Sequence, residues 1–307
     1  MIKSDKQIIE NSGEKMKILT LGIVAGGRAC NARCPFCVSK MTPIAGVPLN
    51  PPAVDWDAFG RACEFARSHE TNIAMITSKG EATIWPENIT RFLEIMRTHG
   101  FKEIELQTNG ILLDEKYEHY SRYLQTWRTL GLGLIAISVV HYDPEQNHGI
   151  YSPYKESYIN LSRLIFRLRG LGFKVRLACI MVKDFIDDAE DVARFIEFAK
   201  ENRVEQLTVR PVNVPDESES KDVYEWTLAH RLSAEQLESI SDYLFRVGVN
   251  VGSTHFGSHI FDVGGQNICL TNSLTREDDP EILRQAIFFP NGILSKSWEN
   301  PEGGRLL

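Results

Sequence analysis

Cys30-Asn31-Ala32-Arg33-Cys34-Pro35-Phe36-Cys37 holds half of the chain's six cysteines. It lies just downstream of the apolar run Met16-Lys17-Ile18-Leu19-Thr20-Leu21-Gly22-Ile23-Val24. That run reads as a buried strand, and the Gly26-Gly27 pair ends it. The cysteines therefore follow the carboxyl end of a strand, where ligands gather in α/β folds. Thiolates are soft ligands suited to zinc, Cu(I) and iron-sulfur clusters. A closed structural zinc site wants four protein ligands, whereas a cubane cluster held by three cysteines keeps one iron open. A zinc knuckle, or three packed thiols, is the competing reading.

Outward from that loop the pattern alternates. Pro43, Pro48, Pro51 and Pro52 mark a connection, and Asp55 can cap a helix whose stripe is Trp56, Phe59, Cys63 and Ala66. Strands are expected at 73–77, 102–107, 134–140, 173–182 and 204–210. Between them helices are expected at 86–99, with Pro at the first turn and Gly100 beyond the end, at 114–130 and 156–169, and from Asp187 onward with Glu190 completing a capping box. Six strands separated by five helices argue for parallel βα units with right-handed crossovers. An incomplete barrel and an open doubly wound sheet both fit. A boundary is placed within the polar stretch 211–221. Beyond it, Ser233 with Gln236 makes another capping box for a helix to Val247. Pro290-Asn291-Gly292, between 286–289 and 293–298, signals a hairpin. The division expected is a leader at 1–15, a core at 16–232 and a C-terminal capping extension at 233–307.

Composition narrows the function. At 307 residues, 43% hydrophobic and 24% charged, the chain can bury a sizeable core. Its 34 basic and 41 acidic side chains give a net charge of −7, which disfavours a nucleic-acid partner and points to a small-molecule substrate. Residues 1–17 lack the apolar run of a secretory signal, and no apolar segment is long enough to span a membrane. A cytoplasmic setting is expected, in which clustered thiols bind metal or do chemistry.

The spacing C-x-x-x-C-x-x-C, with Phe36 before the last cysteine and the loop after a first strand, resembles the signature of the radical S-adenosylmethionine superfamily, of the single-cluster type. That resemblance implies a partial (β/α)6 TIM-like barrel with a C-terminal α+β extension. It implies that Cys30, Cys34 and Cys37 ligate three irons of a 4Fe-4S cluster, with the amine and carboxylate of S-adenosylmethionine on the fourth. Ser78-Lys79-Gly80-Glu81 resembles the family's Gly-Gly-Glu element for the cofactor amine, with Lys79 in the first glycine's place. Gln107-Thr108-Asn109-Gly110 resembles its Thr-Asn-Gly turn, and Thr108 and Asn109 are placed near the cofactor. Ser138 is a candidate contact to its ribose or carboxylate, and Arg176 and Arg210 are candidates to pair with its carboxylate or with a substrate anion. Glu81 also reads as an ordinary turn residue, Ser138 as a strand serine, and each arginine as half of a structural ion pair.

His141, in His141-Tyr142-Asp143 after the fourth strand, is a candidate for the substrate cavity or a plain loop residue. His255, His259 and Phe256 accompany Cys269, which either donates a hydrogen atom to a product radical or packs as a small hydrophobe. Cys63 and Cys179 read as core. The activity implied is reductive cleavage of S-adenosylmethionine to a 5'-deoxyadenosyl radical, fed by an external one-electron donor such as flavodoxin or ferredoxin. That radical would abstract a hydrogen atom from a small polar metabolite or a nucleotide-related substrate. An activating enzyme that installs a glycyl radical on a partner protein, and a non-catalytic metal-binding protein, are the alternatives.

Overall fold

A computed structural model describes residues 16–44, 46–49, 53–254, 256–271 and 281–307. The expected leader at 1–15, His255 and the Pro51-Pro52 pair lie outside them. The chain opens with β1 (Lys17–Val24), α1 (Val38–Met41), α2 (Trp56–Ser68), β2 (Ile73–Thr77), α3 (Pro86–His99) and β3 (Glu103–Thr108). It continues with α4 (Ile111–Glu115), α5 (Tyr117–Thr129), β4 (Leu134–Val139), α6 (Pro144–Tyr151), α7 (Leu161–Gly170), β5 (Lys174–Met181), α8 (Ala189–Glu201) and β6 (Gln206–Pro211). After β6 come α9 (Lys221–Ala229), α10 (Ala234–Val247), β7 (Val249–Ser253), β8 (His259–Val263), β9 (Gln266–Leu270), β10 (Ile282–Phe288) and β11 (Leu294–Ser295).

All the strands join one open sheet in the order β11-β10-β1-β2-β3-β4-β5-β6-β9-β8-β7. β1 to β6 stand side by side in sequence order, every pair parallel. This is the arrangement of a partial (β/α)6 barrel. The C-terminal part flanks it on both sides: β10 pairs parallel with β1, and β9 pairs parallel with β6. The expected hairpin at Pro290-Asn291-Gly292 forms as β10 against β11, and Gly292 supplies the positive φ its turn needs.

Local chemistry explains most helix ends. The Asp55 carboxylate accepts from Ala58 N at 2.8 Å and starts α2. Pro86 opens α3, and Gly100, at φ 69°, ends it. Ser233 and Gln236 form the reciprocal capping box of α10. Four expectations are corrected. The helix foreseen at 114–130 is two helices broken at Lys116. The one foreseen at 156–169 starts only at Leu161, where Asn160 caps it. α8 is capped by Asp188, which accepts from Asp191 N, so Asp187 stands outside and Glu190 makes no capping box. Finally, α6 and α9 stand where no element was expected. Asp143 capping Glu145 N, with Pro144 in the first turn, was the local signal for α6.

Buried side chains pack between sheet and helices. On β5, Val175, Leu177, Cys179 and Met181 are buried, while Arg176, Ala178 and Ile180 on the other face are partly open. Cys63 and Cys179 are core residues, as the sequence suggests. A smaller apolar cluster of Val24, Val47, Ile287, Phe289 and Ile293, with Trp298 against it, lies where β1 meets the C-terminal hairpin. Among the described residues no helix is long and apolar enough to cross a membrane.

Candidate functional site: the cysteine loop

The loop after β1 is fixed by the connections that follow β2, β3 and β4. Ala25 N donates to Thr77 O at 2.7 Å, and Glu81 N donates to Ala29 O at 2.9 Å. Ser78 Oγ donates to Gly27 O at 3.1 Å and accepts from Gly80 N at 3.1 Å. Gly80 has to be glycine, because a Cβ there would lie 2.1 Å from Ala29 O. From the α6 side, Arg33 N donates to Tyr151 O at 2.9 Å, and the Tyr154 hydroxyl donates to Asn31 O. Phe36 is buried edge-on against Tyr151 and lies 6.0 Å from Trp226 of α9.

Glu81 ties the second and third connections together. It is 3% exposed. Its Oε1 accepts from Thr83 N, the Thr83 hydroxyl and the Thr108 hydroxyl, and its Oε2 from Asn109 N at 2.8 Å. Asn109 then donates from Nδ2 to Asn31 Oδ1 at 2.8 Å, and accepts from Ile111 N on its own Oδ1. Glu81 thus anchors the Thr108-Asn109-Gly110 turn against the cysteine loop. A buried carboxylate with four donors is charge-satisfied and rigid.

Cys30 is exposed, and Cys34 and Cys37 are half-buried. Although part of the residue is open to solvent, the protein packed around the Cys30 thiol desolvates it and pushes it up to about 12, with the charges of Glu81 and Cys37 adding to the shift. Burial also raises Cys34, helped by Cys37 and Cys30. Three thiolates brought this close repel one another in the metal-free chain, and a cationic metal core offsets that repulsion. Unpartnered buried polar atoms collect around the loop, namely Arg28 Nε, Asn31 Nδ2, Tyr151 Oη and Tyr158 Oη. Among the described residues, the one trio of His, Cys, Asp or Glu ligand atoms that all lie within 4.8 Å of one another is Asp187, Asp188 and Asp191. The three cysteine sulfurs thus do not all lie within that distance of one another, which leaves room for a multi-atom cluster.

The other candidates divide. Ser78, Gly80, Glu81, Thr108 and Asn109 converge on the cysteine loop by the bonds given above. Ser138 lies near the carboxyl end of β4, in register with Ala178. Arg210 ends β6; burial lowers its pKa, and the nearby Arg284 lowers it further. Arg176 lies near the amino end of β5, where Glu105 holds it at 2.9 Å, away from the loop. His141 accepts from Asp143 N at 2.9 Å and feels the charges of Asp143, Asp191 and Arg194, on the α8 side. Cys269 pairs with Thr208 in the sheet, and its electrostatic neighbours are Arg176 and Arg284. The Lys79 ammonium turns to Thr42 Oγ1 and Pro43 O, each at 2.9 Å. Sequence reasoning missed Asn31, Tyr151, Tyr154 and Trp226, because their roles depend on α6 and α9 folding back over the loop.

A family model described as the radical SAM superfamily matches residues 24–227. The GTP 3',8-cyclase of Aquifex aeolicus (strain VF5) is 25% identical over 200 residues, covering 62% of this chain and 56% of that protein. The molybdenum cofactor biosynthesis protein moc-5 of Caenorhabditis elegans is 29% identical over 182 residues, covering 55% of this chain and 28% of that protein. The match thus spans about half or less of these curated relatives. Among solved structures, Streptococcus suis SuiB bound to S-adenosylmethionine superposes with a TM-score of 0.63 at 14% identity, covering 97% of this chain and 67% of that one. The Escherichia coli coproporphyrinogen III oxidase HemN, described as a radical SAM enzyme, gives 0.50 at 15%, covering 87% and 65%. At these identities the structural likeness concerns the fold.

Proposed function

The chain belongs to the radical SAM superfamily, whose model matches more than half of it, and on that premise we propose that Cys30, Cys34 and Cys37 hold three irons of the family's 4Fe-4S cluster, with S-adenosylmethionine on the fourth. The observation that carries this reading is convergence: the connections after β2, β3 and β4 are all hydrogen-bonded to the one cysteine loop. When bound there, the cluster would pass one electron from the external donor to S-adenosylmethionine, and the pair would supply the radical chemistry of the family, with methionine as the leaving group. The chain's own groups position and seclude it. Gly80 allows close approach of the backbone, the turn at Thr108 and Asn109 is braced by Glu81, and Phe36 with Trp226 covers the loop. Ser138 and Arg210, at the carboxyl ends of β4 and β6, are placed to meet polar and anionic groups.

The substrate we propose is a small, anionic, nucleotide-related molecule. The name of the cyclase relative supports this, as does the cationic character of the interior, where burial and the charge of the nearby Arg284 both lower the pKa of Arg210. Among the described residues no carboxylate lies within ion-pair distance of Arg210, on which Glu105 acts only through its charge, and a substrate phosphate or carboxylate would supply a direct partner. The extension 233–307 is proposed to shape the wall of this cavity, since β9 and β10 bring in Cys269 and Arg284. The electron comes from an external one-electron donor. Purine nucleotides carrying deuterium on the sugar or the base test the reading. Transfer of deuterium into 5'-deoxyadenosine, under dithionite with the anaerobically reconstituted protein, is expected for at least one triphosphate. No transfer and no stimulation of 5'-deoxyadenosine release by any of them would remove the nucleotide substrate while leaving the cluster assignment standing.

A further inference from the structure

Lys79 is 3% exposed, and its ammonium is held by two hydrogen bonds and an aromatic ring. Two N–H bonds go to Thr42 Oγ1 and Pro43 O, and the ring of Trp298 lies 4.5 Å from Nζ. Thr42 is itself tied to Val38 O at 3.0 Å, so Lys79 is braced against the end of the short helix that Cys37 begins. All of these partners are neutral. A buried cation without a bonded anion is costly and calls for a counter-charge. Among the described residues no carboxylate lies within ion-pair distance of Lys79. The geometry puts this cation beside the cysteine loop: its partner Thr42 is bonded to the carbonyl of Val38, the residue after Cys37, and two residues on from Lys79 the Glu81 N–H is bonded to Ala29 O, next to Cys30; the negative groups that favour the ammonium are Cys37 and Glu299. The apolar cluster of Val24, Val47, Phe289 and Ile293, with Trp298, walls this side off from water, so a charge here acts at low dielectric.

We infer that the Lys79 ammonium is the built-in counterion of the thiolate-bound cluster, a positioning residue that acts through Cys37 and raises the cluster's reduction potential. The inference rests on Cys37 being a cluster ligand. A 4Fe-4S core carrying three thiolates is already anionic and gains a further negative charge on accepting one electron, so a fixed cation beside it favours the reduced form. It also gives a physical reason for lysine at a position where the family's element has glycine: this chain puts a charge there and seals it with its own C-terminal Trp298.

The test is an anaerobic potentiometric titration of the reconstituted full-length protein, with dithionite as reductant and iron counted in each sample. Lys79→Met and Lys79→Gln are expected to hold the cluster with a midpoint shifted to more negative potential, and Lys79→Arg to titrate close to the parent. An unshifted midpoint in the two neutral variants overturns the inference, because a merely structural lysine changes stability and leaves the potential alone. If both neutral variants fail to load iron, Lys79→Arg decides. Full loading there sustains the charge assignment, and loss there too makes Lys79 a packing residue and ends the proposal. Absence of any cluster in the parent would instead reject the ligand assignment itself.

Discussion

At the scale of single residues the site is governed by buried charges and by what satisfies them. Glu81 has four donors and is settled. Lys79 is not: burial lowers its pKa from the ordinary 10.5 to about 8, with Cys37 and Glu299 opposing. A depressed folded value means that stability linked to this amine is present above about 10.5 and is lost as pH falls through about 8. Cluster-free Lys79→Met is therefore expected to be more stable than the parent at pH 7, by about 1–3 kcal/mol, with the gap closing as pH rises from 8 to 10.5. Urea melts of the apo-proteins at pH 7 and pH 10 read this out; an equal gap at both would mean that Lys79 is not a penalised cation. The sequence made Ser78, Gly80, Glu81 and Asn109 legible as neighbours of the cysteines, because each follows a strand and a family motif. It could not reveal that Glu81 accepts from Thr83, Thr108 and Asn109 at once, nor that Arg176 is held by Glu105. Apart from the local bond to Thr83, those pairings join residues far apart in the chain.

Among the elements, those with strong local signals stand where the sequence places them. α2 has Asp55, α3 has Pro86 and Gly100, and α10 has its capping box. α6 and α9 were missed because they are short and weakly amphipathic, and are stabilised mainly by docking on the cysteine loop. α9 contributes Trp226, which stacks on His230 at 3.8 Å and lies against Phe36. Trp226→Ala is expected to leave the three thiols in place while opening their cover. It should destabilise the fold by about 2–3 kcal/mol and hasten bleaching of the reconstituted cluster in air severalfold, followed by absorbance decay. Bleaching at the parental rate would show that α9 does not shield the loop.

For the molecule as a whole, the strand–helix alternation dictated a parallel six-strand core, and the order β1 to β6 follows it. The alternation is silent on the C-terminal strands. β10 joins β1, and β9 joins β6, through parallel pairings whose partners are separated by long stretches of chain; no local pattern encodes such pairings. The outcome is an open sheet whose edges and interior are completed by the chain's last third, with Trp298 reaching back to Lys79 and Cys269 facing the arginines. This scaffold is proposed to present three cysteines to one cluster and to leave one iron for S-adenosylmethionine. The most direct measurement is the 5'-deoxyadenosine formed per chain by the anaerobically reconstituted protein with dithionite and S-adenosylmethionine, alongside Cys34→Ala. Product and methionine are expected in equal amounts from the parent and not at all from Cys34→Ala, which should also lose the cluster absorbance. A Cys34→Ala protein that keeps its cluster and still makes 5'-deoxyadenosine, or a fully loaded parent that makes none, would contradict the proposal.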